Sequence, residues 1–184
     1  MTSGVLLIGG ASTRFGAPKA LARFHGETLA ERAWRMLDEA CDERLAVGKA
    51  GELELPFPVV DDGVETRAPL AGVVAGLRAA SHELCVVLPV DCPLVTAELL
   101  RELADGSEGV DAAVPQTGPL PGAYRRTALP VLQRRLAAER LSLRDSLAEL
   151  ATRTLKLDER LLVNINTPRD LHEAERIVAR SAGE

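Results

Sequence analysis

Residues 5–19, VLLIGGASTRFGAPK, join an apolar run to two adjacent glycines and then to two cations. The apolar run predicts a β-strand over residues 4–8 that is covered on both faces, as is typical of parallel strands. Gly9 and Gly10 follow directly, and glycine lets backbone N–H groups approach a ligand because no Cβ stands in the way. Successive amides in such a turn form an anion-binding concavity. The stretch is therefore either a plain turn between a strand and a helix or a loop that binds phosphate.

The two cations of this stretch favour phosphate binding. Arg14 and Lys19 can bracket a triphosphate, with the hydroxyls of Ser12 and Thr13 as further donors. The loop is not a Walker loop, because no Gly-Lys-Ser/Thr closes it, and it lacks the G-x-G-x-x-G spacing of dinucleotide-binding proteins. The sequence thus indicates a phosphate-binding loop of another kind.

Downstream of this loop, short apolar runs alternate with amphipathic segments. The runs predict strands over residues 44–48, 57–60, 84–90, 111–114 and 152–157. The amphipathic segments predict helices over residues 29–41, 70–80 and 96–104, two helices within 127–150, and a last helix from Thr167. Such alternation predicts an α/β fold with a doubly wound, mostly parallel sheet and helices on both faces. Without repeats or linkers, residues 1–184 are expected to form a single domain.

Composition narrows the classes of function. A formal net charge of −5 and an aromatic content of 3% argue against a nucleic-acid-binding surface. The three cysteines form no CxxC pair, which suggests a reducing compartment. No signal-peptide pattern opens the chain and no apolar run approaches the length of a membrane span. We therefore expect a cytoplasmic protein with neither nucleic acid nor membrane as a partner.

Two acidic positions follow predicted strands. In a doubly wound sheet, ligands lie outside the carboxyl ends of the strands, near the point where strand order reverses. Asp91 follows the most apolar strand, and Mg²⁺ bound to phosphates usually takes only one or two protein carboxylates. Asp61 and Asp62 follow the strand at 57–60. An ordinary acidic turn is the simpler interpretation of each position.

The spacing of residues 9–19, GGASTRFGAPK, resembles the signature loop of nucleotidyltransferases built on a Rossmann-like domain of the nucleotide-diphospho-sugar transferase type. These include the molybdenum cofactor guanylyltransferase family, its cytidylyltransferase relatives, and the sugar and isoprenoid nucleotidyltransferases. The D-x-P order of Asp91 to Pro93 matches the metal-binding motif of these enzymes, which implies Mg²⁺ as cofactor. The resemblance implies catalytic roles for Arg14, Lys19 and Asp91, with Asp91 as the metal ligand.

Further segments extend the resemblance from Val5 to about Ile177. Residues 68–72, APLAG, resemble the segment near the bound base, and residues 119–126, PLPGAYRR, resemble a stretch of the molybdenum enzymes. By resemblance, the acceptor contacts four residues: Tyr124, Arg125, Asn164 and Asn166. Residues 164–168, NINTP, equally suit a plain helix start. By resemblance, the nucleotide contacts seven residues: Leu7, Ile8, Gly9, Gly10, Lys19, Asp62 and Asp91.

The implied reaction is transfer of GMP from GTP to the terminal phosphate of molybdopterin, giving the guanine dinucleotide cofactor and pyrophosphate. Pro18 and Gly48 differ from the usual guanylyltransferase pattern, so cytidylyl transfer, or transfer to another small phosphate, stays open. A nucleotide-binding regulatory module without turnover is the remaining alternative. GTP and molybdopterin are the expected substrates, and molybdoenzyme maturation proteins are the protein partners that the resemblance suggests.

Overall fold

The computed structural model describes residues 1–9 and 18–181, and one mixed sheet organises them. The strands are β1 (Ser3–Leu7), β2 (Arg23–Phe24), β3 (Glu27–Thr28), β4 (Glu43–Gly48), β5 (Val59–Asp61), β6 (Leu84–Pro89), β7 (Ala112–Pro115), β8 (Gly122–Arg125) and β9 (Thr152–Leu155). The helices are α1 (Leu29–Ala40), α2 (Pro69–Ala79), α3 (Ala97–Gly106), α4 (Leu129–Ala137), α5 (Leu143–Ser146) and α6 (Pro168–Ser181). Seven strands pair in the order β5-β4-β1-β6-β8-β7-β9, and β2 and β3 form a separate hairpin.

The sheet is mostly parallel, as predicted. β1 lies between β4 and β6 and runs parallel to both, while β8 runs antiparallel to β6 and β7. Strand β8 and the β2–β3 hairpin were not predicted. Both strands of the hairpin are two residues long, and β8 has only four residues. Such short elements leave too few residues for a periodicity to be recognised.

Helices cover both faces of the sheet. Buried residues of α1 and α3 pack on one face in a cluster that includes Leu6 and Leu88. Those of α2 and α4 pack on the other with Val5 and Val87. Alternate residues of a strand point to opposite faces, so Val5 to Leu7 of β1 and most of β6 are apolar because both faces are buried there.

Helix α2 approaches β1 closely because it carries small residues on the packed face. A Cβ at Gly76 would lie 2.6 Å from Val5 Cγ1, and a Cβ at Gly72 would lie 2.8 Å from Leu7 Cδ2. Only glycine therefore fits at these two positions without displacement of β1. The N-terminal end of α2 is held directly over the carboxyl end of β1.

The N-terminus of α1 has the predicted capping box. The Thr28 hydroxyl accepts from Glu31 N–H, and the Glu31 carboxylate accepts from Thr28 N–H. Trp34, expected on the buried stripe of this helix, is half-buried and stacks on Phe57 with ring centroids 4.1 Å apart. Phe57 was expected inside a strand, but β5 begins only at Val59, because Pro58 has no N–H to donate to a neighbouring strand.

The predicted helical stretch at 127–150 is divided as expected between two helices, but the second is short. α4 ends at Ala137, Glu139 adopts a left-handed backbone with φ 55°, and α5 has four residues followed by a 3-10 turn. Within residues 1–9 and 18–181, no helix combines the length and apolar composition that crossing a membrane requires.

Candidate active site

A cavity of about 400 Å³ opens at the carboxyl edge of the sheet, and we call it the edge cavity. In the parallel register, Leu7 pairs with both Val47 and Pro89, so β1, β4 and β6 end at the same level. The residues that follow these strands therefore meet. Of the predicted site residues, seven line the cavity: Leu7, Ile8, Gly9, Lys19, Asp62, Asp91 and Asn164. Gly10 and Arg14 lie outside the described residues.

Lys19, Asp91 and Asn166 converge at one end of the edge cavity. Lys19 Nζ lies 3.3 Å from Asp91 Oδ2 and 3.0 Å from Asn166 Oδ1. The side chains of Lys19 and Asp91 are only 16% and 23% exposed. The geometry thus brings together a cation from the first loop, a carboxylate after β6 and an amide from the C-terminal region.

The segment with the two asparagines is tied to the end of β6. Ile165 N–H donates to the Asp91 carbonyl at 2.8 Å. The Cys92 thiol donates to Asn164 Oδ1 at 3.1 Å. Burial, reinforced by the neighbouring Asp91 carboxylate, raises the pKa of the Cys92 thiol well above its usual value. Cys92 is therefore a neutral hydrogen-bond donor that helps position Asn164.

Asn166 takes part both in the start of α6 and in the contact with Lys19. Its backbone N–H, with that of Thr167, donates to the Asp170 carboxylate at 2.8 Å. These two backbone hydrogen bonds lower the pKa of Asp170. The Asn166 side chain meanwhile bonds to Lys19. The helix start therefore holds this amide beside Lys19, although Asn166 does not itself line the cavity.

Asp62, rather than Asp61, faces the edge cavity. Asp62 Oδ1 accepts from Lys49 Nζ at 2.6 Å and from Val64 N–H at 3.2 Å. The Asp61 side chain is exposed, and it accepts instead from the backbone N–H groups of Gly63 and Ala50. Those two bonds lower the pKa of Asp61. Asp61 is thus a turn residue of the kind that the sequence offered as the simpler interpretation.

Tyr124 and Arg125, for which the resemblance implies contact with the acceptor, do not line the edge cavity. The Tyr124 side chain is fully buried among the α2 and α4 residues, and its hydroxyl donates to the Pro119 carbonyl at 2.6 Å. Burial raises the pKa of the Tyr124 phenol. Arg125 Nε donates to the Ser107 carbonyl at 2.9 Å. Tyr124 supports the cavity wall from behind, since it packs in one buried cluster with Leu7 and bonds to Pro119, both of which line the cavity.

Three further cations line the cavity beside Lys19, and sequence reasoning gave none of them a role. They are Lys49, Arg67 and Arg144. Arg144 Nη2 donates to the Thr117 carbonyl at 3.0 Å, and Arg67 pairs with Glu52 at 2.6 Å. The one sequence signal for Lys49 is its place directly after a predicted strand, and that signal does not distinguish it from a solvated lysine. Among the described lining residues, four cations thus face two carboxylates, which suits a polyanionic ligand in a chain whose net charge is negative.

The sequence from residue 4 to 156 matches the MobA-like NTP transferase domain family. The chain belongs to this family. It is similar to a probable molybdenum cofactor guanylyltransferase of Pelotomaculum thermopropionicum, with 32% identity over 98% of this chain and 94% of the relative. It is also similar to a molybdenum cofactor guanylyltransferase of Desulfosudis oleivorans, with 30% identity over 94% of each chain.

Solved structures confirm the nucleotide-diphospho-sugar transferase fold of this MobA-like domain. Molybdopterin-guanine dinucleotide biosynthesis protein A from Archaeoglobus fulgidus superposes with a TM-score of 0.83 at 24% identity, covering 97% of this chain and 99% of that one. The 2-C-methyl-D-erythritol 4-phosphate cytidylyltransferase from Thermus thermophilus superposes with a TM-score of 0.73 at 20% identity, covering 95% and 98%. The family match and the guanylyltransferase relatives, rather than these structures, show that the chain is a nucleotidyltransferase.

Proposed function

We propose that this MobA-like enzyme transfers GMP from GTP to the terminal phosphate of molybdopterin. The proposal is supported by guanylyltransferase relatives that align over nearly the whole chain. The observation that carries it is the convergence of Lys19, Asp91 and Asn166 at one end of a cationic cavity. A phosphate-transfer site needs such fixed charges, because the two reacting groups are both anions.

The reaction is a displacement at the α-phosphorus of GTP. An oxygen of the acceptor phosphate forms the new P–O bond, the bond between the α-phosphorus and the bridging oxygen breaks, and pyrophosphate leaves with the electron pair. The acceptor oxygen is already anionic near neutral pH, so no general base has to remove a proton. Catalysis then rests on positioning and on stabilisation of negative charge.

Lys19 is placed to serve the reacting phosphates. Its ammonium is held between Asp91 and Asn166, so it can donate to the α-phosphate and to the departing pyrophosphate without a large movement. We assign the same charge-stabilising role to Arg14, and we assign the backbone of Gly9 and Gly10 to the cradle for the phosphates. Asn164 and Asn166 are assigned to the acceptor side, where Arg144 adds a cation.

Asp91 fits a Mg²⁺ ion that is shared with the nucleotide. Its carboxylate lines the cavity and keeps 23% of its surface exposed beside Lys19. The described residues contain no group of three or more His, Cys, Asp or Glu side chains that could hold a metal alone. A metal that completes its shell with phosphate oxygens and water needs only one or two protein carboxylates. Held by Asp91, Mg²⁺ would supply Lewis-acid stabilisation of the negative charge on the phosphates.

Pyrophosphate release tests the proposal directly. The purified protein is incubated with Mg²⁺ and either GTP, CTP or ATP, each with and without molybdopterin. We expect release that requires both GTP and molybdopterin. If CTP were the only one of the three nucleotides that gave release in the presence of molybdopterin, the enzyme would be a cytidylyltransferase. If a nucleotide bound but none of the three gave pyrophosphate release, the protein would instead be a regulatory module. Such a module would supply no dinucleotide cofactor to molybdoenzyme maturation proteins.

A further inference from the structure

Lys49 is a charged residue of the edge cavity for which the transfer reaction gives no role. It directly follows Gly48, the last residue of β4, whereas Asp91 follows the end of β6. Its side chain is 16% exposed and that of its partner Asp62 is 9% exposed. A lysine is rarely buried to this degree unless it is paired. The pair therefore forms a fixed polar element in the wall of the cavity.

The hydrogen bonds of Lys49 fix the position of its ammonium. Nζ donates to Asp62 Oδ1 at 2.6 Å and also to the Val64 carbonyl. Asp62 is itself held, since its N–H donates to the Gly48 carbonyl at 3.0 Å. An ammonium carries three N–H groups, and the two acceptors within the described residues use two of them. The third can donate to an acceptor of a ligand in the cavity.

The distance of Lys49 from the end of the cavity that holds Lys19 and Asp91 suits contact with a nucleobase. β4 and β6 are separated by β1, so their ends lie about 10 Å apart at the usual strand spacing. A ribonucleoside monophosphate covers a comparable length from phosphorus to the far edge of the base. Between the two ends, Leu7, Val47 and Pro69 supply apolar wall, and Gly48 adds no side chain. A flat base fits such a surface, with its polar edge towards Lys49.

We infer that Lys49 is a specificity-determining residue whose ammonium donates a hydrogen bond to a keto oxygen of the nucleobase. The inference rests on the proposed function, in which that oxygen is O6 of guanine. Adenine carries an amino group at the same position, so its N–H would face the N–H of Lys49. The Lys49–Asp62 pair would therefore select against ATP as well as favour GTP.

The test measures coupling between the Lys49 side chain and the 6-oxo group. Dissociation constants of GTP and of 2-aminopurine riboside triphosphate, which is guanosine triphosphate without the 6-oxo group, are determined by calorimetry with Mg²⁺. Lys49→Met should weaken GTP binding about tenfold to a hundredfold, the range of one hydrogen bond to a charged group. It should leave the binding of the 2-aminopurine nucleotide nearly unchanged. Lys156→Met, which removes an exposed lysine outside the cavity, is the matched control and should change neither.

A second background guards against misfolding, because Lys49→Met leaves the Asp62 carboxylate without its cation. The comparison is repeated between Asp62→Asn and Asp62→Asn/Lys49→Met, because the double variant carries neither charge of the pair. Equal weakening of both nucleotides in both backgrounds would overturn the inference, since Lys49 would then only support the cavity wall. If Lys49→Met weakened the binding of GTP but not that of 2′-deoxy-GTP, Lys49 would contact the ribose, and this result would also overturn the inference.

The inference and the proposed function fail in different ways. Selective loss of GTP binding in Lys49→Met, without GMP transfer by the wild-type protein, would contradict the proposed function alone. GMP transfer with no coupling between Lys49 and the 6-oxo group would contradict the inference alone. Absence of GTP binding by the wild-type protein would overturn both.

Discussion

Lys19 Nζ lies 3.3 Å from Asp91 Oδ2, which joins the end of the first loop to the end of β6 across the mouth of the sheet. Both side chains are mostly buried, so the two charges compensate each other before any ligand binds. In the proposed reaction, a triphosphate would bring negative charge towards Lys19 and a metal would bring positive charge towards Asp91. Lys19 could then interact with the phosphates and Asp91 with the metal while both side chains stay close to their present positions. Electrostatic catalysis requires charged groups that are fixed in advance in this way.

The first prediction concerns Lys19. Lys19→Ala removes the cation placed for the reacting phosphates and should lower kcat for pyrophosphate release at least about 100-fold, as loss of one electrostatic stabiliser does elsewhere. Lys156→Met, on the exposed segment after β9, should keep wild-type turnover. Turnover of Lys19→Ala within a few fold of wild type would remove Lys19 from the catalytic group.

The second prediction concerns Asp91, whose role differs from that of Lys19 because it should involve the metal. Asp91→Asn keeps the size of the side chain but removes the negative charge, so kcat should again fall at least about 100-fold. The variant should also need a much higher Mg²⁺ concentration for half-maximal rate, because an amide is a poorer Mg²⁺ ligand than a carboxylate. Rates are measured across a Mg²⁺ titration at saturating GTP. An unchanged Mg²⁺ dependence would assign the metal to other groups.

The sequence predicted the parallel core because its signals there are local. β1 and β6 are apolar runs, and α1 carries its own capping box, so neighbouring residues suffice to identify these elements. The rule that ligands lie at the carboxyl ends of the strands then located Asp62 and Asp91 at the cavity. These placements needed no knowledge of long-range contacts.

The features that sequence reasoning did not foresee depend on contacts between distant segments. Tyr124 points inward because β8 pairs with β6, where Tyr124 lies opposite Cys85. The interaction between Lys19 and Asn166 likewise joins residues 147 positions apart. Lys49 was missed because a lysine after a strand is ordinarily solvated, and only the fold shows that Asp62 and Val64 enclose it.

The third prediction tests whether Tyr124 stabilises the fold rather than contacting the acceptor. Tyr124→Phe removes the hydroxyl that donates to the Pro119 carbonyl and should cost about 1 kcal/mol of stability. In a chain of this length that corresponds to a fall in Tm of about 2–4 °C. Because the ring is buried away from the cavity, KM for molybdopterin should stay at the wild-type value. A raised KM with an unchanged Tm would restore a direct contact with the acceptor.

The fourth prediction concerns acid stability at the opposite edge of the sheet. Glu43 Oε2 accepts from the Ser3 hydroxyl at 2.5 Å and from Ser81 N–H at 2.9 Å. These bonds, that of Ser3 foremost, lower the pKa of Glu43 below its usual value of 4.5. A carboxyl group with a lowered pKa in the folded state stabilises the protein above its unfolded pKa, and this contribution is lost as pH falls through the folded pKa.

Glu43→Gln should therefore flatten the decline in the free energy of unfolding between about pH 5 and pH 3, the range in which this carboxyl group titrates. Urea denaturation at a series of pH values measures it. Ser3→Ala keeps the carboxylate but removes its first donor, so it should lose part of the same pH-dependent contribution. GMP transfer near neutral pH should persist in both variants, because Ser3 lies at the start of β1, far from the edge cavity. Parallel acid profiles for Glu43→Gln and wild type would show that the Ser3–Glu43 hydrogen bond does not favour the ionised carboxylate in the folded protein.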